Sequence, residues 1–200
     1  MSLFPETMTS PRLRYEAIRP ETFDPFEMYE HVNPSAPAIE EITEYLSWAP
    51  HATPATTAEF VEHAGEQFAA NEGVHYAIYP TEGPHEGEFV GTTALSVSWD
   101  RRLATLGLWL RRPAWGNGYS GERAARLLEL AFDRLDLDIL AVEHDPRNEQ
   151  SARAIEKYVE RFGGRREGRL RHGGVTQDGE PYDTVRYTIS HEEWAATVDD

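Results

Sequence analysis

The sequence predicts an α+β fold of mixed α/β layers, formed as one domain of 200 residues. Three observations carry that prediction. In the first half, short apolar runs are separated by turn residues, the pattern of strands that return antiparallel. In the second half, apolar runs of strand length alternate with helical periodicity. Hydrophobic residues make up 40% of the chain, enough to core one domain of this size. Neither an internal repeat nor a linker divides it.

The elements follow in order. Residues 13–19 read as a first strand, and 20–31 as a turn and helix. Prolines 34 and 37 break the chain before a short helix over 39–46. Thr56 or Thr57 can cap a helix running to about Asn71, because Phe60, Val61, Ala64 and Phe68 fall on one face. Residues 74–79 form the second strand, and 81–87 are an exposed hairpin loop. Residues 88–99 and 103–110 are the third and fourth strands, joined around Asp100 and Arg101. A helix is expected over 124–132 and a fifth strand over 137–144. A further helix opens near 145, with Asp145 or Asn148 as cap. Residues 165–171 and 182–190 close the chain as a hairpin.

The most informative stretch joins the fourth strand to the helix after it: Arg111-Arg112-Pro113-Ala114-Trp115-Gly116-Asn117-Gly118-Tyr119-Ser120-Gly121-Glu122. Gly116 and Gly118 permit backbone conformations that a Cβ would forbid. Successive N–H groups can then point inward at the positive end of the following helix, which makes an anion site suited to phosphate. Two common phosphate loops are excluded. No lysine follows the second glycine, and the third glycine falls one place short of GxGxxG. Nor does an acidic residue wait at the end of a second strand, as a dinucleotide site needs.

Charge and composition narrow the classes further. Nineteen basic residues, of which only Lys157 is lysine, face thirty-five acidic ones, for a net charge of −16. That sign argues against a nucleic-acid partner. The acids are scattered along the chain, which reads as an acidic, halophilic-type surface, where salt screens self-repulsion; equal stability in dilute and multi-molar KCl would contradict it. No run of eighteen apolar residues encodes a membrane span, and the N-terminus lacks a secretion pattern, so a cytoplasmic location is expected. There is no cysteine for a disulfide or thiolate site, and the eight histidines show no metal-ligand spacing.

Taken with its surroundings, the glycine loop resembles that of the GCN5-related N-acetyltransferases (GNAT), specifically the RimJ/RimL type. The WGxGY loop and its helix are followed by a strand and by Asp145-Pro146-Arg147-Asn148-Glu149-Gln150-Ser151, which leads to Ile155-Glu156-Lys157. Glu167-Gly168-Arg169-Leu170-Arg171 is similar to a later arginine-rich motif. Upstream, Trp48-Ala49-Pro50-His51 resembles a WxP segment, as Gly91-Thr92-Thr93-Ala94-Leu95 resembles the third strand. Residues 181–187 and Glu193-Trp194 match the closing strand and tail. The likeness covers about residues 12–194 of a single domain spanning 1–200.

The resemblance implies a mostly antiparallel sheet whose strands four and five splay apart to admit acetyl-CoA. Pantetheine amides would pair with the backbone of Leu108, Trp109 and Leu110, as an added strand does. The pyrophosphate would sit on Trp115, Gly116, Asn117, Gly118, Tyr119, Ser120 and Gly121, with Arg111 and Arg112 adding charge. Asn148 would hold coenzyme A or the acceptor strand, and Ser151 would hydrogen-bond the departing sulfur. His144 and Glu143 are candidate bases; they point to opposite faces, so at most one serves. His51, His172, Asp183 and a water-relayed base are alternatives. Trp48, His51 and Asp183 would shape the acceptor site. The acceptor is an amine, either a peptide N-terminus or a small molecule, and homodimers are common in the subgroup.

Four positions depart from the family pattern. Pro113 replaces a basic or glutamine residue, Thr105 a glutamate base and Ile155 a tyrosine, while the last helix runs on past Tyr158 to Gly163-Gly164. The missing groups motivate an alternative: a catalytically silent module that binds or senses acyl-CoA.

Overall fold

The computed structural model describes residues 2–198. The chain forms two compact units. One holds everything up to Ser96 together with Gly107–Tyr119; the other holds Val97–Leu106 together with everything from Ser120 on.

In the first unit, strands β1 (Thr7–Thr9), β2 (Leu13–Ala17), β3 (Gly73–Pro80) and β4 (Gly91–Ser98) lie side by side in that order, each antiparallel to the next. The second half of β5 (Leu103–Leu110) follows β4. Strand β1 has no counterpart in the sequence reading. It is three residues long and buries only Met8, too short for any periodicity to register. Helices α1 (Pro25–Val32), α2 (Ile39–Thr43) and α3 (Pro54–Ala70) complete the unit. Asp24 caps α1 by accepting from the Phe26 N–H at 2.9 Å. Helix α3 begins earlier than expected: Thr53 holds the cap position and Pro54 the first turn, where its missing N–H costs nothing. Thr57 is instead buried inside the helix.

Ile18, Phe23, Met28, Val61, Tyr79 and Phe89 pack into one core with Trp109. Strand β4 runs so close to β5 that a Cβ on Gly91 (φ +144°) would lie 2.2 Å from the Trp109 carbonyl oxygen. Thr93 donates from Oγ1 to the Gly107 carbonyl at 2.9 Å. The backbone of β5 is therefore set by its neighbour over the segment that the family resemblance implies for cofactor contact.

Burial also leaves a titratable mark here. His75 on β3 contacts Gln67 at 3.1 Å and meets the Phe60 ring edge-on at 5.2 Å. Burial, with a smaller contribution from His63, lowers its pKa to about 4 from the usual 6.5. Between those values the unfolded chain takes up a proton that the folded chain refuses. The stability contributed by neutral His75 is thus complete above pH 6.5 and lost as pH falls towards 4. His75→Gln should flatten the unfolding free energy in that window by up to about one proton, or about 1.4 kcal/mol per pH unit, in denaturant titrations run across it. An unchanged slope would contradict the assignment.

The second unit contains the first half of β5, helix α4 (Tyr119–Glu129) with one π-helical turn over Leu130–Arg134, β6 (Ile139–His144), α5 (Glu149–Arg161), β7 (Arg165–Val175), β8 (Pro181–Ser190) and α6 (His191–Val198). Its strand order is β5, β6, β8, β7. Strands β6 and β8 are antiparallel from Ile139↔Ser190 to His144↔Val185, and β8 is antiparallel to β7. The β5–β6 pair, strands four and five of the sequence reading, is parallel. Its register runs from Leu103↔Ile139 to Leu106↔Val142, while β5 continues to Leu110 and β6 to His144. The fold is thus mixed α+β and mostly antiparallel. Strand β7 is four residues longer than the sequence suggests; it is exposed on both faces and bulged, so no alternation marks its end.

Candidate functional site

Beyond Leu110 the chain makes a 3-10 turn over Arg112–Ala114 and extends at Trp115. Gly116 (φ +78°) and Gly118 (φ +80°) are both left-handed, and α4 begins at Tyr119. These angles are what the glycines are for: side chains rarely adopt them. The Trp115 indole N–H donates to the Leu110 carbonyl at 2.8 Å and closes the base of the loop. Asn117 spans it, donating from Nδ2 to the carbonyls of Trp115 at 3.3 Å and Pro113 at 3.4 Å. Ala114 and Tyr119 are buried and anchor the two ends. The first-turn N–H groups of α4 have no partners one turn back within the helix, and they carry its positive end.

The two arginines expected to add charge are engaged elsewhere. Arg111 donates from Nη1 to the Phe89 carbonyl at 2.7 Å and to Glu88 at 3.3 Å. Arg112 places its Nε 3.1 Å from both Glu41 carboxylate oxygens and lies over the Trp115 ring. A residue that sequence reasoning missed stands beside the loop instead. Arg12, just ahead of β2, donates from Nη1 to the Asn117 carbonyl at 3.2 Å. Nothing in the spacing of the sequence connects positions 105 apart, so only the fold reveals it.

Trp48 and His51 come together in the same unit. The Trp48 ring meets Trp109 edge-on at 5.6 Å and His51 at 5.7 Å. His51 Nδ1 lies 2.9 Å from Thr57 Oγ1, and burial lowers its pKa, which favours the neutral ring. Trp109 itself is 9% exposed, so its side chain serves the core.

Glu143, His144, Asn148, Ser151 and Asp183 all belong to the second unit. Glu143 accepts from Thr184 Oγ1 at 2.7 Å and has Arg186 at 3.5 Å, so its charge is already matched. His144 is 7% exposed and stacks on Tyr187 with centroids 5.8 Å apart. Its Nδ1 lies 2.8 Å from the Asp145 carbonyl oxygen. A carbonyl only accepts, so Nδ1 carries the proton and Nε2 keeps its lone pair. That Nε2 is buried with no hydrogen-bond partner among the described residues. Asn148 is the cap of α5, accepting from the Ser151 N–H at 2.9 Å, and this places Ser151 in the first turn. Asp183 accepts from the His172 N–H at 3.1 Å and from Arg169 at 2.9 Å, which together hold its carboxyl below the usual range. Tyr158 shares the buried face of α5 with Ile155 and Val159, and burial pushes its hydroxyl up to about 12. Among the described residues no cluster of histidines and acids could hold a metal ion, and no helix is long and apolar enough to cross a membrane.

A parallel β5–β6 pair whose register stops short, followed by a left-handed glycine loop at a helix start, is the arrangement that the resemblance to acetyltransferases leads one to expect. The chain belongs to the GNAT acetyltransferase family: the sequence profile described as "Acetyltransferase (GNAT) domain" matches residues 12–158. No curated protein matches by sequence. Among solved structures, one classed as an acetyltransferase from T. thermophilus is 28% identical with a TM-score of 0.75, covering 98% of this chain and 95% of its own. The ribosomal-protein-S5-alanine acetyltransferase from Vibrio fischeri is 16% identical with a TM-score of 0.75, covering 94% and 98%. The Microcin C7 self immunity acetyltransferase MccE, in complex with acetyl-CoA and AMP, is 16% identical with a TM-score of 0.77, covering 94% and 98%. The last two share the fold. This protein is an N-acetyltransferase by family.

Proposed function

We propose that the protein transfers the acetyl group of acetyl-CoA to a primary amine by direct attack in a ternary complex. The observation that carries this is the left-handed Gly116–Gly118 loop between β5 and α4. The N–H groups of residues 115–121 would bind the pyrophosphate, and the backbone of Leu108 to Leu110 the pantetheine amides. The amine nitrogen bonds the acetyl carbon as the carbon–sulfur bond breaks. One amine proton passes to a base, and the thiolate of coenzyme A takes a proton in turn. Ser151 would hydrogen-bond the departing sulfur. Because the Asn148 side-chain oxygen already serves its helix, its Nδ2 is the group for coenzyme A or the acceptor strand. Trp48 and His51, whose rings meet edge-on, would shape the acceptor site, and Asp183 is a further acceptor-site candidate.

The family profile spans residues of both units. The acceptor is a protein N-terminus or a small amine. The Vibrio fischeri neighbour, a ribosomal-protein acetyltransferase, favours the first, while MccE, bound with AMP, favours the second. Thermal unfolding in the presence of acetyl-CoA tests the cofactor reading. Ligand at about a hundred times Kd should stabilise the chain by about 2.7 kcal/mol. No shift at saturating ligand would contradict it.

The second reading is an acyl-CoA-binding module without turnover. It is favoured by Thr105 and Ile155, which stand where family members carry glutamate and tyrosine.

A further inference from the structure

We propose that Arg12 supplies positive charge to the coenzyme A phosphate site. The inference rests on the acetyl-CoA reading above. An anion brought to a chain of net charge −16 needs a local positive source. Arg12 borders three consecutive residues of the loop. Its Nη1 donates to the Asn117 carbonyl, and its Nη2 lies 3.6 Å from where a Cβ on Gly118 would stand. Its guanidinium carbon lies 5.4 Å from the centroid of the Tyr119 ring, the first residue of α4. The guanidinium therefore flanks the N–H groups that would take the phosphate.

Its backbone is held as firmly as the loop. The Arg12 carbonyl accepts from the Thr81 N–H at 2.9 Å, and the next residue, Leu13, is fully buried and paired with Pro80 at the end of β3. A charge mounted on sheet geometry can meet a phosphate without first being ordered, so less rotamer entropy is lost on binding. The ligand chemistry is a phosphate ester of the coenzyme, either the pyrophosphate or the 3′-phosphate.

Calorimetric titration of wild type, Arg12→Gln and Arg12→Lys with acetyl-CoA and with 3′-dephospho-acetyl-CoA tests this. Phosphate-free S-acetylpantetheine, followed by ligand-observed NMR, is the control. Arg12→Gln should weaken acetyl-CoA by about tenfold or more, the loss expected for one charge-assisted contact. It should leave S-acetylpantetheine within about twofold, and Arg12→Lys should recover part of the loss. An equal loss for the dephospho compound assigns Arg12 to the pyrophosphate; no loss for that compound assigns it to the 3′-phosphate. The unliganded unfolding midpoint checks that the variants fold. Arg12→Gln binding acetyl-CoA as wild type does, or losing acetyl-CoA and S-acetylpantetheine alike, overturns the assignment. Failure of wild type to bind acetyl-CoA overturns the cofactor reading and the Arg12 assignment together.

Discussion

His144→Gln is expected to lower kcat by roughly two to three orders of magnitude, the worth of a positioned general base, while leaving acetyl-CoA affinity within about twofold. The reasoning starts from one hydrogen bond. The Asp145 carbonyl fixes the proton on Nδ1, so Nε2 is the basic nitrogen whenever the ring is neutral. A buried acceptor without a partner costs about 1–3 kcal/mol, and an amine delivered to Nε2 would relieve that cost while giving up its proton. The groups around the ring are already committed. Burial raises the Asp145 carboxyl, but Arg147, through its guanidinium and its N–H, outweighs this and leaves the pKa lowered. Tyr187, stacked on the ring, is raised by burial and by its bond to Glu156. Tyr182 is raised by burial and by the charges of Asp145 and Glu143. Glu143 is matched by Thr184 and Arg186. Wild-type turnover in His144→Gln would assign the base elsewhere.

Gly118→Asp should abolish the stabilisation by acetyl-CoA, with affinity down by about a hundredfold or more. Three effects act in the same direction. The left-handed backbone at φ +80° costs a side chain about 1–2 kcal/mol. The new carboxylate puts a negative charge on a site built for an anion. It also stands beside Arg12, whose Nη2 is 3.6 Å from the added Cβ, and would neutralise it. In the unliganded chain the backbone cost is opposed by the attraction of the new carboxylate to Arg12 and to the helix start, so its Tm should change by no more than a few degrees. Gly118→Ala separates the effects, since it carries the backbone cost without the charge. A Gly118→Asp variant that keeps the wild-type shift with acetyl-CoA would place the phosphates elsewhere.

How much was legible in the sequence depended on the range over which each signal acts. Strand β5 agrees with its expected bounds because apolar alternation and the Asp100–Arg101 turn are local. The loop was legible for the same reason: two glycines between a strand and an amphipathic helix report backbone conformation directly. Asn148, one of two candidate caps, is the cap observed. Helix α3 begins at Pro54 because proline in the first turn outranked the two threonines further in, one of which the core claimed. Side-chain engagement across long separations was invisible. The pairing of Arg112 with Glu41 spans 71 positions and that of Arg12 with Asn117 spans 105, and neither leaves a periodicity. His144 and Glu143 could be separated by face from the strand alternation, but their inequality emerged only with Thr184, Arg186 and the Asp145 carbonyl in place.

The central claim, acetyl transfer to an amine, is tested most directly by acceptor-dependent release of coenzyme A thiol from acetyl-CoA. The acceptor panel should include peptides with free N-termini, polyamines, aminoglycosides and amino acids, assayed at high salt. The account predicts thiol release above the hydrolytic background with at least one of these, and an acetylated amine as product. Tight binding of acetyl-CoA with no acceptor-dependent release across the panel would contradict it and leave the chain as a silent acyl-CoA-binding module.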